Sequence, residues 1–115
     1  MKTLKNCIKL ACSVKIYVPS TINVDQGFDN REWTDKALVF LSKEFGGSTA
    51  CKALGAWISQ SGQLIKENVV MVFSYATQDQ LENSIDRIYE FCLEMKEYLA
   101  QEAIALEINN ELYLI

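Results

Sequence analysis

The sequence contains no histidine. Its absence removes the commonest general base, the commonest metal ligand and every Ser–His or Cys–His nucleophile pair. The four cysteines, Cys7, Cys12, Cys51 and Cys92, form no Cys-x-x-Cys motif, so their spacing does not support a zinc site. We therefore expect buried free thiols, no metal, no cofactor and no catalytic residue fixed by a motif.

Long apolar runs are also missing, since none approaches the ~18 residues of a membrane-spanning helix. Lys2, Lys5 and Lys9 interrupt the first ten residues, where a secretory signal would need an unbroken apolar stretch. Half of the 115 residues are apolar, which is typical of one globular core. We expect a single domain over residues 1–115, cytoplasmic and without membrane contact.

Positive charge is scarce in the second part of the chain. Residues 1–67 carry nine Lys/Arg and six Asp/Glu, whereas residues 68–115 carry two and nine. An acidic surface repels phosphates, which argues against nucleic-acid binding by that surface. It leaves attraction to a basic protein open.

Two apolar patterns organise the first half of the chain. Alternation over residues 8–18 predicts a strand that ends at the single proline, Pro19. A helix is then predicted from a cap at Asp29 or Asn30 to Gly46. Its apolar stripe repeats every four residues: Trp33, Ala37, Leu41 and Phe45.

The second half reads as a hairpin, a long helix and a short hairpin. Residues 48–59 and 63–75 are predicted strands around a turn at Gly62. A capping box of Thr77 and Gln80 begins a helix over about residues 78–101. Its predicted stripe is Leu81, Ile85, Ile88, Tyr89, Cys92, Leu99 and either Met95 or Lys96. Residues 103–108 and 111–115 then form a terminal hairpin around two asparagines.

This order predicts an α+β, ferredoxin-like antiparallel sheet with two helices on one face plus a small C-terminal hairpin. The strand over residues 63–75 is apolar on both faces, so it belongs inside the sheet. The face without helices would keep an apolar surface, and we therefore expect a homo-oligomer, such as a homodimer.

Candidate ligand contacts lie on the two central strands. Thr49, Gly55 and Trp57 share one face by the two-residue period, where small residues and an indole would form a trough. The trough either holds a ligand or packs against the protein's own helix. Glu67 shares a face with apolar residues, which suggests a ligand contact, an acid or base, or an ion pair with Lys15 or Lys52. A strand end at the solvent boundary is the simpler explanation of this carboxylate.

The second helix carries a row of carboxylates that we name the acidic ridge: Asp79, Glu82, Asp86, Glu90, Glu94 and Glu97. Such a row is usually a solvated face. Neighbouring like charges at helical spacing repel each other, however, and a basic partner protein would relieve that repulsion.

One set of motifs carries a resemblance: Phe45-Gly46-Gly47-Ser48-Thr49, Gly55-Ala56-Trp57, Gly62, Leu64 and Glu67-Asn68-Val69-Val70. The chain resembles a family of small bacterial, plasmid and phage proteins of unknown function that share an FGGxT…GxW…GxL…ExV pattern. The resemblance implies a ferredoxin-like fold and candidate contacts at Thr49, Gly55, Trp57 and Glu67, and it implies no activity.

Three hypotheses about function follow. The favoured one is a non-enzymatic binding protein of phage or mobile-element origin that acts by protein–protein interaction, by analogy in blocking a host defence system. The first alternative is a small-ligand or nucleotide-sequestering protein. The second is a small ferredoxin-like enzyme that uses Glu67 as acid or base.

Overall fold

The computed structural model describes residues 3–22, 26–27 and 29–115. Its main elements are β1 (Cys12–Pro19), α1 (Arg31–Phe45), β2 (Thr49–Ile58), β3 (Leu64–Ala76), α2 (Gln78–Tyr98), β4 (Ala105–Ile108) and β5 (Glu111–Leu114). A short 3₁₀ helix, Thr3–Asn6, precedes them, and Thr21–Ile22 pairs with Gln26–Gly27 between β1 and α1. Among the described residues, no helix is both long and apolar enough to cross a membrane.

The five main strands form one sheet in the order β2-β3-β1-β4-β5, and every neighbouring pair is antiparallel. Helix α1 connects β1 to β2 with β3 between them, and α2 connects β3 to β4 with β1 between them. These are two split βαβ units, as in a ferredoxin-like fold, and β5 extends the sheet at one edge. The predicted α+β fold is confirmed, with β3 inside the sheet.

Both helices cover the same face of the sheet. Val14, Ile16 and Val18 of β1 are fully buried in one core with side chains of both helices. The helices also touch each other, because Phe40 of α1 stacks on Phe91 of α2 with ring centroids 4.8 Å apart. The predicted placement of the helices is therefore confirmed.

The opposite face of the sheet is named the open face. By the two-residue period and the strand register it presents Lys15, Tyr17, Thr49, Cys51, Ala53, Gly55, Trp57, Ile65, Glu67, Val69, Met71, Phe73, Tyr75 and Glu107. Most of these side chains are partly exposed, and no element among the described residues covers them.

The start of β1 was predicted too early. Cys12 pairs with Ala76, the last residue of β3, so residues 8–11 extend past the end of that partner strand. Ile8 is accordingly 92% exposed. Alternation alone cannot reveal where a partner strand stops, which explains the error.

Helix α2 begins with the predicted capping box but buries a narrower stripe. The Gln80 amide donates to Thr77 Oγ1 at 3.1 Å, and the Thr77 amide donates to Gln80 Oε1 at 2.9 Å. Ile85 and Tyr89, predicted as part of the buried stripe, are 39% and 51% exposed. These two residues lie at the margin of the buried side of α2. The helix also ends at Tyr98 rather than near residue 101.

The cysteine prediction is half right. Cys12 and Cys92 are buried, whereas Cys7 and Cys51 are exposed. Burial raises the pKa of the Cys92 thiol to about 12, so this thiol remains protonated at neutral pH. All four cysteines are free thiols.

Both hairpin turns use residues that tolerate a left-handed backbone. Gly62 has φ +84° in the β2–β3 turn, and Asn109 and Asn110 have φ +52° and +68° between β4 and β5. These values agree with the predicted turns, since asparagine adopts positive φ more readily than most residues.

Gly46 and Gly47 provide a matched pair for testing the end of α1. Gly46 caps the helix with φ +91°, and its amide donates to the Ser42 carbonyl at 2.8 Å, whereas Gly47 has no positive φ. An added Cβ meets nothing within 4 Å at either position. We expect Gly46→Ala to lower the free energy of unfolding by about 1 kcal/mol through backbone strain. Gly47→Ala should leave it unchanged or raise it slightly, and equal losses in urea titrations of the two variants would contradict this account of the cap.

Candidate functional site

The four predicted ligand contacts do not lie together. Gly55 of β2 is directly opposite Glu67 of β3, and Trp57 lies two residues further along β2, so it is a diagonal neighbour of Glu67. Thr49 is six residues from Gly55, or about 20 Å along the strand, and is opposite Phe73. The candidate site on the arm therefore contains Gly55, Trp57 and Glu67. Thr49 lies outside it, and its contact with a ligand stays a prediction.

These three residues belong to a projecting part of the β2–β3 hairpin. Strand β1 pairs with β3 only over residues 69–76, so residues 54–68 continue beyond it as a two-stranded arm. The arm carries four exposed large apolar side chains: Leu54 (62%), Trp57 (44%), Ile58 (65%) and Leu64 (57%). Two-stranded ribbons are marginally stable alone, so an arm with apolar groups on both faces suits a contact surface.

Trp57 does not pack against the protein's own helices, contrary to one of the two predicted interpretations. It projects from the open face, whereas both helices cover the other one. Trp33, by comparison, is 3% exposed and lies in the core beside Phe91, at 5.9 Å between ring centroids. Of the two tryptophans, only Trp57 can therefore report on a ligand at the open face.

Glu67 is a half-buried carboxylate beside an opening in the side-chain layer. Because Gly55 lies opposite and has no side chain, the side-chain layer is open there. A Cβ added at Gly55 would stand 3.7 Å from the backbone carbonyl oxygen of Glu67 and, among the described residues, would meet no side chain within 4 Å. Of the two predicted ion-pair partners, Lys15 Nζ lies 3.5 Å from Glu107 Oε2, and Lys52 projects from the helix-covered face.

A second group on the open face was missed by the sequence analysis. Lys15 pairs with Glu107, and the Tyr17 hydroxyl donates to Glu107 Oε1 at 3.3 Å. Burial, followed by the charge of Glu107, raises the pKa of Tyr17, so the phenol keeps its proton at neutral pH. Alternation placed Lys15 and Tyr17 on one face, but Glu107 joins them only through the pairing of β1 with β4.

This group borders a shallow cavity of about 760 Å³ on the open face. Its lining includes Lys15, Thr49, Cys51, Met71, Phe73, Tyr75 and Glu107. Neither Trp57 nor Glu67 lines it. Thr49 thus belongs to this cavity rather than to the arm.

The open face offers different chemistry at its two ends. At the cavity, aromatic and methionine side chains offer surfaces for a flat ring. At the arm, the carboxylate of Glu67 and the indole of Trp57 both attract a cation. In the part of the chain that the structure describes, no group of three Cys, Asp or Glu side chains could hold a metal ion.

The acidic ridge is fully at the surface, since all six of its carboxylate residues are exposed. Arg87, on the same helix, turns towards α1 and forms an ion pair with Glu44. The hydrogen bond to Glu44, followed by the negative charge of Glu44, raises the pKa of Arg87. The basic residue nearest the centre of α2 is thus directed to the other helix.

Comparison with known proteins identifies the fold. No family model and no curated protein matches the chain. Among solved structures it is similar to a phage SAM lyase in complex with S-methyl-5′-thioadenosine, with a TM-score of 0.65 and 16% identity over 94% of this chain and 91% of that one. It is also similar to a phage SAM lyase in the apo state, with a TM-score of 0.65 and 22% identity over 91% and 88% of the two chains. At these identities the similarity shows a shared fold.

Proposed function

We propose that this chain is a phage enzyme that binds S-adenosylmethionine at the arm end of the open face and cleaves it to S-methyl-5′-thioadenosine. The observation that carries the proposal is the half-buried carboxylate of Glu67 opposite Gly55 and beside Trp57, on a fold shared with a phage SAM lyase over nearly the full length of both chains. The proposal adopts the Glu67 enzyme hypothesis in place of a non-enzymatic role.

The substrate's charge matches these residues. S-adenosylmethionine is a sulfonium cation with a flat adenine base, and a carboxylate stabilises a nearby cation strongly where water is partly excluded. Adenine offers a ring face to the indole of Trp57, and the sulfonium can lie against the carboxylate of Glu67. Gly55 leaves room for a ligand atom next to Glu67.

The reaction requires no external reactant. When the bond between sulfur and Cγ breaks, its electron pair goes to sulfur, which becomes the neutral thioether of S-methyl-5′-thioadenosine. In the same step an oxygen of the substrate's own carboxylate forms a bond to Cγ, which closes the four-carbon fragment into a five-membered lactone. Atoms and charge then balance without water, a proton acceptor or a cofactor. We assign to Glu67 the task of holding and orienting the sulfonium, which is consistent with a chain that contains no histidine.

We also propose that the protein acts as a homo-oligomer. Glu67 and Trp57 lie outside the cavity on the open face, so one chain alone leaves the candidate site on the arm open to solvent. A second copy packed against the open face of the arm would enclose that site. Trp57, which is 44% exposed on the open face of the arm, supports this arrangement. Sedimentation of the protein at high micromolar concentration should give a mass above that of one chain, and a monomer there would contradict it.

Incubation of the purified protein with S-adenosylmethionine tests the proposed reaction. We expect S-methyl-5′-thioadenosine to accumulate beyond the molar amount of protein, as measured by liquid chromatography. Ligand addition should also change the tryptophan fluorescence of the wild type more than that of a Trp57→Phe variant. Binding without turnover would leave the nucleotide-sequestering alternative, and the absence of both effects would refute the proposal.

A second candidate function is protein–protein interaction through the acidic ridge, the role that the sequence favoured. Its support is the exposure of all six ridge carboxylates on one helix. The ridge lies on the helix layer and the proposed ligand site on the open face, so one protein could have both functions.

A further inference from the structure

An apolar groove runs between α2 and the terminal hairpin, on the helix side of the sheet. Its volume is about 560 Å³, and its lining includes Ile85 and Tyr89 from α2 and Ile108, Tyr113 and Ile115 from the end of the chain. Tyr89 and Tyr113 are 51% and 49% exposed. Clustered, exposed aromatic and aliphatic groups of this kind mark binding surfaces.

The groove adjoins a free sheet edge. The amide and carbonyl groups of Ile104 and Ile115 exchange two hydrogen bonds, of 3.0 and 2.9 Å. Bonded and non-bonded pairs alternate along an antiparallel ladder, so Leu112 and Leu114 direct their N–H and C=O groups away from β4. Strand β5 is the outermost strand of the sheet, and these two leucines are 59% and 71% exposed. An exposed apolar edge of this kind is a template for an additional strand.

The rim of the groove is negatively charged. Glu82, Asp86 and Glu90 lie four residues apart on α2 and form the stripe next to that of Ile85 and Tyr89. All three carboxylates are exposed. Along this side of α2 the next basic residue is Lys96, which lies seven residues beyond Tyr89, about 10 Å along the helix.

We propose that this surface binds a basic, amphipathic, extended segment of another protein, which adds a sixth strand beside β5. Apolar side chains on one face of the segment would pack on Leu112 and Leu114. Lys or Arg side chains on its other face would cover Tyr113 and Tyr89 with their aliphatic stems and direct their charges to the rim. The inference rests on the second candidate function and is independent of the first.

Charge favours such a partner over a second copy of the chain. A two-fold pairing of β5 with itself would keep the helices of both copies on the same side of a continuous sheet. It would bring the two α2 rims, with Glu82 and Asp86, towards each other, and like charges oppose that contact. A basic segment instead neutralises the rim.

The test uses a fluorescein-labelled nine-residue peptide in which lysine and valine alternate, with a glutamate–valine peptide as the matched control. We expect fluorescence anisotropy to show binding of the lysine peptide alone, weakened at least tenfold by high salt. Replacing Glu82, Asp86 and Glu90 together by lysine should weaken it at least tenfold. Leu112→Pro removes an outward N–H without removing a β4–β5 bond and should have a similar effect.

Hydrogen exchange of the wild type gives a measurement that needs no variant. Peptide binding should protect the amides of Leu112 and Leu114. In one outcome, charge reversal abolishes binding, but the peptide protects neither amide and Leu112→Pro has no effect. The peptide would then bind the acidic ridge without adding a strand, and the strand inference would be overturned. Equal binding after charge reversal, or no binding of the lysine peptide at millimolar concentration, would overturn both the partner role of the acidic ridge and the strand inference. If the wild type forms dimers that the Leu112→Pro substitution dissociates, strand β5 pairs with a second copy of the chain, and the inference is overturned.

Discussion

Replacing Glu67 by glutamine is expected to lower kcat/KM for S-methyl-5′-thioadenosine formation at least about 10-fold, since a lost contact between a charged side chain and a bound cation typically costs about 1.5–3 kcal/mol. The amide keeps the shape of the side chain but not the charge that faces the sulfonium. Because Glu67 is only half-buried, the free energy of unfolding should change by less than about 1 kcal/mol. Initial rates at substrate concentrations well below KM, with urea titrations of both proteins, measure the two quantities.

Glu97→Gln is the matched control, because Glu97 is an exposed carboxylate of the acidic ridge on the helix layer. The same change in net charge should leave the rate within about twofold of the wild type, as expected for a screened, distant charge. A Glu67→Gln enzyme with wild-type activity would remove Glu67 from the site, even if the protein cleaves the substrate.

Replacing Leu41 by alanine is expected to lower the free energy of unfolding by about 2–5 kcal/mol, the usual range for a leucine deleted from a packed core. Leu41 is fully buried between α1 and the sheet, in the core that contains Ile16 and Ile88. Small domains are stable by only 5–15 kcal/mol, so this loss should shift the urea midpoint strongly. Equilibrium urea unfolding followed by circular dichroism measures it.

Val39→Ala on the same helix provides the comparison. Val39 is 51% exposed, and surface substitutions usually change stability by less than about 0.5 kcal/mol. Equal destabilisation by Leu41→Ala and Val39→Ala would mean that α1 does not pack on the sheet through the stripe of Trp33, Ala37, Leu41 and Phe45.

Local patterns predicted the elements well because the forces behind them act over a few residues. The stripe of α1 is buried as expected, and the capping box of Thr77 and Gln80 forms both of its hydrogen bonds. The errors concern places where a distant element decides burial. Ile8 is exposed because β3 ends at the level of Cys12, and Trp57 is exposed because the helices cover the other face.

The candidate site was predicted in part for the same reason. Gly55, Trp57 and Glu67 follow from strand periodicity, and counting back from the turn at Gly62 could have paired Gly55 with Glu67. Thr49 was included because it shares a face with Gly55, although distance along the strand separates the two. The ion pair of Lys15 with Glu107 joins residues 92 positions apart, counted from the sequence numbers, and no local pattern reveals it.

Helices, turns and the faces on which side chains alternate follow from the amino-acid sequence alone, because capping, backbone preference and periodicity are properties of neighbouring residues. Which faces stay uncovered, how far the arm extends beyond β1 and which edge of the sheet is left to β5 depend on the assembled fold. Those features depend on register between strands far apart in the chain, and register is set by how the whole core packs. The proposed ligand site and the proposed docking edge both depend on this register.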